Sequence, residues 1–214
     1  MTSSCDPREH ALLILIGLIA LNILIELTLV AADHGLIGST RWRALAYQNG
    51  AFWAGLLHNW RPNYAAQPWV MFLSYSFLHG GLLHLIGNML VLWGLGRVVM
   101  LRLGTGRFLV LYFVSAIGGA LCFGLLSNSP QPMVGASGAL FGLLGAWQAW
   151  RYVLRRRRGQ SLWPVWQAVL GLVLLNVVMW VALKGLVAWE THLGGFIAGW
   201  ICAALIGGRA QPSV

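Results

Sequence analysis

The stretch Gly135-Ala136-Ser137-Gly138-Ala139-Leu140-Phe141-Gly142 sets one hydroxyl among small residues at the start of an apolar segment. Such a serine has two uses, close packing of helices or nucleophilic attack. A serine hydroxyl is a weak nucleophile until a neighbouring base takes its proton, and an imidazole is the base suited to neutral pH. His192 opens the segment His192-Leu193-Gly194-Gly195-Phe196-Ile197-Ala198-Gly199 far along the chain. Earlier, His84 and Asn88 are four residues apart, hence on one face of a helix. Amide and imidazole donors there, with the Ser137 backbone N–H left free near a helix start, have the chemistry to stabilise an oxyanion. Glu190 is two residues from His192 and faces away from it on a helix, so the expected unit is a Ser–His dyad. Phe141, one turn after Ser137, is placed to orient the imidazole by ring contact in place of a carboxylate.

Those residues must be carried by membrane helices. The 214 residues are 58% hydrophobic and only 9% charged, too few charges to cover a water-soluble domain. At about 20 apolar residues per crossing, six spans are expected, near 11–32, 79–99, 108–127, 134–152, 165–183 and 186–206. This gives a membrane domain over 11–206 between tails at 1–10 and 207–214. The first apolar run is long enough to remain as a span, and no cleavable leader is expected. The connection at 33–78 is rich in aromatics but broken by Arg, Asn, Pro and Gly, and is expected to lie in the interface.

Orientation follows from the basic residues. With both termini cytoplasmic, ten arginines (8, 97, 102, 107, 151, 155–158 and 209) lie inside against Arg41, Arg43, Arg61 and Lys184 outside. The net charge of +9 therefore reads as topology signal and lipid contact, and no basic stripe or nucleic-acid motif is present. Cys5, Cys122 and Cys202 have no metal or redox spacing and read as small hydrophobes. Under this topology His84, Asn88, Ser137 and His192 all fall roughly 5–14 Å below the outer surface. Gly138 with Gly142, and Gly195 with Gly199, form small-xxx-small faces that would let the two backbones approach and bring hydroxyl and ring together.

These motifs resemble those of the rhomboid intramembrane serine proteases. The family's GxSG appears as Gly135-Ala136-Ser137-Gly138, its histidine motif as His192 with Gly195 and Gly199, and its HxxxN as His84 to Asn88. The preceding His79 and the turn at 102–107, Arg-Leu-Gly-Thr-Gly-Arg, match as well, so that the likeness runs from about Trp69 to Gly199. The resemblance implies an all-α six-helix bundle with an interfacial first loop, in the minimal form common in bacterial inner membranes. It implies cleavage of transmembrane protein substrates near the outer face, with Ser137 as nucleophile, His192 as base, His84 and Asn88 at the oxyanion and Phe141 packed on the histidine. No metal or other cofactor is implied, and membrane lipids are the remaining partners. Two departures stand out: Trp69-Val70 where many members have Trp-Arg, and Val99-Met100-Leu101 where an acidic residue is common. Both bear on loop support.

Other readings stay open. A rhomboid-like binder of client helices would need no serine and histidine together, and a transporter would want internal repeats that are absent. His79 and His84 have the wrong helical spacing for a metal pair, and no HExxH occurs. His10, His34 and His58 read as interface or loop residues. Asn22 and Glu26, one turn apart, read as an interhelical polar contact, and Gln148 and Asn176 as packing or interface residues.

Overall fold

A computed structural model describes residues 7–206. Cys5, Arg209 and the tail at 207–214 lie outside the described residues. Among the described residues, eight α-helices follow one another: α1 (Pro7–Asp33), α2 (Trp42–Gly50), α3 (Gln67–Ser74), α4 (Leu82–Leu103), α5 (Thr105–Leu126), α6 (Ser137–Arg157), α7 (Trp163–Ala182) and α8 (Trp189–Ile206). Two single 3-10 turns, Ala54–Leu57 and Tyr75–Phe77, flank α3.

Each of the six stretches expected to span is a helix, with boundaries shifted by a few residues. Helix α4 starts at Leu82, leaving His79 in the connection before it, and α6 starts at Ser137 itself, after an irregular segment. Four helices are long and apolar enough to cross a membrane: α1, α4, α5 and α7. Helices α6 and α8 fall short of that standard for a physical reason. They form the middle of the bundle, where much of their surface is covered by protein, so glycine and polar side chains replace the leucines that lipid contact requires. On the outer helices the apolar side chains face outward, with Leu83, Leu125 and Leu174 all exposed.

Local chemistry explains the connections. Helices α4 and α5 are joined by Gly104 alone, at φ 77°, a left-handed conformation open to glycine. Helix α6 ends in Arg155, Arg156 and Arg157, cations at the negative end of its dipole, and Gly159 at φ 62° closes it. Pro164 sits in the first turn of α7, where its missing N–H costs nothing.

The central seam is backbone on backbone. A Cβ on Gly195 would collide with the Gly138 carbonyl oxygen, and one on Gly199 with the Gly142 carbonyl oxygen. The two glycine pairs thus face one another across α6 and α8. Helix α5 completes the seam, with Gly118 against Ala198 and Gly119 against Thr191. Substituting Gly199→Ala forces the two backbones apart and is expected to destabilise the bundle by about 1–3 kcal/mol. Gly171→Ala, with nothing within 4 Å of its Cβ position, should leave the unfolding midpoint in detergent unchanged or slightly raised.

Candidate active site

Ser137 is the first residue of α6, so its backbone N–H belongs to the free donors of a helix start. His192 lies in the first turn of α8. The glycine seam holds these two turns side by side, and His192 Nε2 stands 2.9 Å from Ser137 Oγ. The ring of Phe141 stacks on the imidazole, with centroids 4.1 Å apart and planes within 5°. His192 is 7% exposed while Ser137 is half-buried, so the hydroxyl can be reached and the ring is held.

The other ring nitrogen has a partner that sequence reasoning missed. Asn176 Oδ1, on α7, lies 2.5 Å from His192 Nδ1. The sequence reading gives this asparagine as a packing or interface residue. Its signal was available: one amide in the middle of a helix otherwise nearly all apolar.

His84 and Asn88 face the segment that leads into Ser137. The Gly80 N–H donates to His84 Nδ1 at 3.2 Å. In the neutral ring that leaves Nε2 as the protonated nitrogen. A Cβ built on Gly135 would sit 2.7 Å from His84 Cε1, 2.8 Å from Nε2 and 3.4 Å from Asn88 Nδ2. Both donors therefore line the space beside Gly135, and the buried Asn88 Nδ2 has no hydrogen-bond partner. Gly135 itself adopts φ 122°, so its lack of a side chain serves the backbone and the space together. His79, buried, lies edge-on to His84 at 5.3 Å between centroids. No cluster of three or more potential metal ligands occurs among the described residues.

The long connection at 33–78 makes defined contacts with the segment ahead of the serine. Phe52 and Met133 exchange two backbone hydrogen bonds, at 3.0 and 2.9 Å, and Gly135 N–H donates to the Tyr75 carbonyl at 3.0 Å. Residues 133–135 are thereby stitched to the first loop just before the serine. Phe52 packs edge-on against Phe72, Tyr75 and Phe123, and the Tyr75 hydroxyl donates to Ala116 O at 2.8 Å on α5. The loop is tied to α1 by charge. Arg43 reaches Glu26 at 3.0 and 3.1 Å, Asp33 at 2.6 Å and the His79 carbonyl at 3.2 Å. Burial pulls the Arg43 pKa down, but the bonds to Glu26 and Asp33 outweigh it and leave the pKa above its ordinary value. The polar contact expected of Glu26 is thus made to α2. Asn22 instead donates to Leu18 O in its own helix, because its side chain meets no polar group of a neighbour. Gln148 accepts from Arg151, also within one helix.

The chain is an integral membrane protein, a helical bundle with a serine–histidine pair at its centre. A rhomboid domain model matches residues 66–209. The chain is 34% identical over 143 residues to rhomboid protease GluP of Bacillus subtilis, covering 67% of this chain and 27% of that protein. It is 34% identical over 145 residues to RHOMBOID-like protein 5 of Arabidopsis thaliana, covering 65% and 44%. Rhomboid protease GlpG of Yersinia pestis is 33% identical over 119 residues, covering 56% and 36%. This chain belongs to the rhomboid family. Its aligned part spans less than half the length of each of these relatives.

Gly135→Ala tests the coupling between the serine loop and His84. Gly81 has a similar φ of 112° but open space around its Cβ position. Both alanine variants carry about 1–3 kcal/mol of backbone strain, and Gly135→Ala should lower the unfolding midpoint further because its methyl meets the imidazole. Equal midpoints for the two would show that the ring yields freely.

Proposed function

We propose that this protein is an intramembrane serine endopeptidase that cleaves transmembrane-helix substrates with Ser137 as nucleophile and His192 as general base. The observation that carries the reading is the 2.9 Å contact between Ser137 Oγ and His192 Nε2, in a ring stacked on Phe141. Membership of the rhomboid family, with relatives named as proteases, supports it.

The chemistry runs as acyl transfer. His192 Nε2 takes the Ser137 proton as Oγ attacks the scissile carbonyl, giving a tetrahedral oxyanion. The Ser137 backbone N–H, Asn88 Nδ2 and His84 Nε2–H are the donors offered to that oxygen, each worth about 10²–10³ in rate by analogy with other oxyanion sites. Collapse expels the amine, which takes the proton from His192, and leaves an acyl ester on Ser137. Water, deprotonated by the same imidazole, then hydrolyses the ester and restores the hydroxyl. A substrate helix must unwind locally first, because its carbonyls are otherwise hydrogen-bonded and shielded.

The proposal includes six membrane spans, α1, α4, α5, α6, α7 and α8, with both termini cytoplasmic and the site toward the outer face. The cluster of arginines at the C-terminal end of α6 supports that orientation. A periplasm-dependent reporter fused after Arg158 should be inactive, and activity there would reverse the topology.

The decisive assay incubates purified protein with a helical membrane substrate. Wild type should cleave it, and Ser137→Ala and His192→Ala should each lose about 10⁴-fold or more in kcat. Equal cleavage by all three, or none by any, would favour a non-catalytic protein that binds client helices.

A further inference from the structure

We propose that Asn176 is a positioning residue that holds His192 in the one tautomer able to accept the Ser137 proton. The inference rests on the reading of Ser137 and His192 as nucleophile and base, and deepens it by one partner.

The orientation of the Asn176 amide is set within its own helix. Its Nδ2 donates to Leu172 O at 2.9 Å, one turn back. The atom left to face α8 is therefore the oxygen, 2.5 Å from His192 Nδ1. A carboxamide oxygen has no proton to give, so Nδ1 must carry one. A neutral imidazole holds a single such proton, and Nε2 is consequently a lone pair, aimed at Ser137 Oγ at 2.9 Å. Turning the amide over would set its oxygen against the Leu172 carbonyl and an N–H₂ against Nδ1, losing the i to i−4 bond and forcing the wrong tautomer.

Phe141 cannot do this work alone. Stacking fixes the plane of the imidazole, but a half-turn of the ring about its own Cβ–Cγ bond keeps that plane and exchanges nitrogen for carbon along the edge. The stack therefore sets the plane and the asparagine sets the edge. The arrangement parallels hydrolases in which an asparagine orients a catalytic histidine. Asn176 is carried on α7, of whose side chains only Val165 is buried. The hydrogen bond to His192 is thus made across the least packed seam of the bundle, where little else recommends an amide among valines and leucines.

An interhelical amide can also act as plain structural glue, so the test must read more than activity. The Asn176→Ala variant, the wild type and Ser137→Ala are compared in detergent micelles by three measurements: imidazole ¹⁵N shifts of His192, thermal unfolding, and kcat and KM on a helical membrane substrate. Wild type and Ser137→Ala should both show the Nδ1–H tautomer alone, and Asn176→Ala a mixture of the two. In that variant kcat should fall about 10–100-fold with KM within about twofold of wild type. Val177→Ala, at the next and outward-facing position, should match wild type throughout. Unchanged tautomer populations in Asn176→Ala would overturn the proposal, whatever happens to kcat or the unfolding midpoint. A wild type that holds the Nδ1–H form, loses it on Asn176→Ala and yet cleaves nothing would instead sink the protease reading and leave the positioning claim standing.

Discussion

The site depends on how closely the backbones of α6 and α8 approach. The carbonyl oxygens of Gly138 and Gly142 occupy the volume that side chains on Gly195 and Gly199 would need. Lipid tails are as apolar as leucine, so helices in a bilayer gain little from hiding apolar surface from each other and associate instead through packing and short polar contacts. Glycine makes both available. Ser137 precedes Gly138 by one residue and His192 precedes Gly195 by three, so the register of the glycines sets the separation of hydroxyl and imidazole. Substituents elsewhere on these helices matter less, because the seam is made of main chain and has no rotamers to adjust.

The opposite side of the site is held by charge. Glu26 is fully buried, and a carboxylate in that position requires a compensating cation. Arg43 supplies it with two parallel contacts, and its remaining donors reach Asp33 and the His79 carbonyl. The first loop is fixed against α1 in this way. From there the Phe52–Met133 bridge and the Tyr75–Gly135 hydrogen bond carry the constraint to residues 133 and 135, just ahead of Ala136 and Ser137. The serine is thus set from two directions, by glycine contact along α6 and by loop hydrogen bonds ahead of it. Neither pattern needs an arginine beside Trp69. Val70 is exposed, and the cation that anchors this loop comes from α2 instead.

What could be read from the sequence follows a physical division. Helices, glycine faces and the placing of Phe141 one turn from Ser137 are written in local spacing, and spacing survives folding: i, i+4 neighbours stay neighbours. The family likeness extended this to residues far apart in the chain. Pairings between elements with no periodic signature were not legible. The Phe52–Met133 bridge joins an aromatic loop to an irregular segment, and nothing in either predicts a partner. The place of α5 in the central seam was missed because Gly118 and Gly119 are adjacent and do not form a four-residue repeat. Glu26 was recognised as needing a polar partner, yet its mate lies 17 residues on, in a helix too short to be found by hydropathy. Helices α6 and α8 are not among the four long and apolar enough to cross a membrane alone, because helices covered by their neighbours are released from the demand for apolar surface.

A polar site inside a bilayer has to satisfy two solvents at once, and the layering of this bundle shows how. Outward positions are apolar, with Leu83 at 87% and Leu205 at 81% exposed, while His192, Asn88, Glu26 and Gln148 are turned inward and buried. Inward polar groups then need partners, since an unmet donor in a medium of low dielectric costs more than it does in water. Some of them have one here. Glu26 has Arg43, Gln148 has Arg151, and both nitrogens of His192 are met. Several others do not, among them the Tyr112 hydroxyl, Trp150 Nε1 and Asn88 Nδ2, and the last of these lies beside the glycine that leads into the serine. An unmet donor there is a standing cost to the resting fold. In the proposed reaction that donor would be met by the oxyanion, and an interaction absent at rest and formed only with that charge is the kind that lowers a barrier without tightening the ground state.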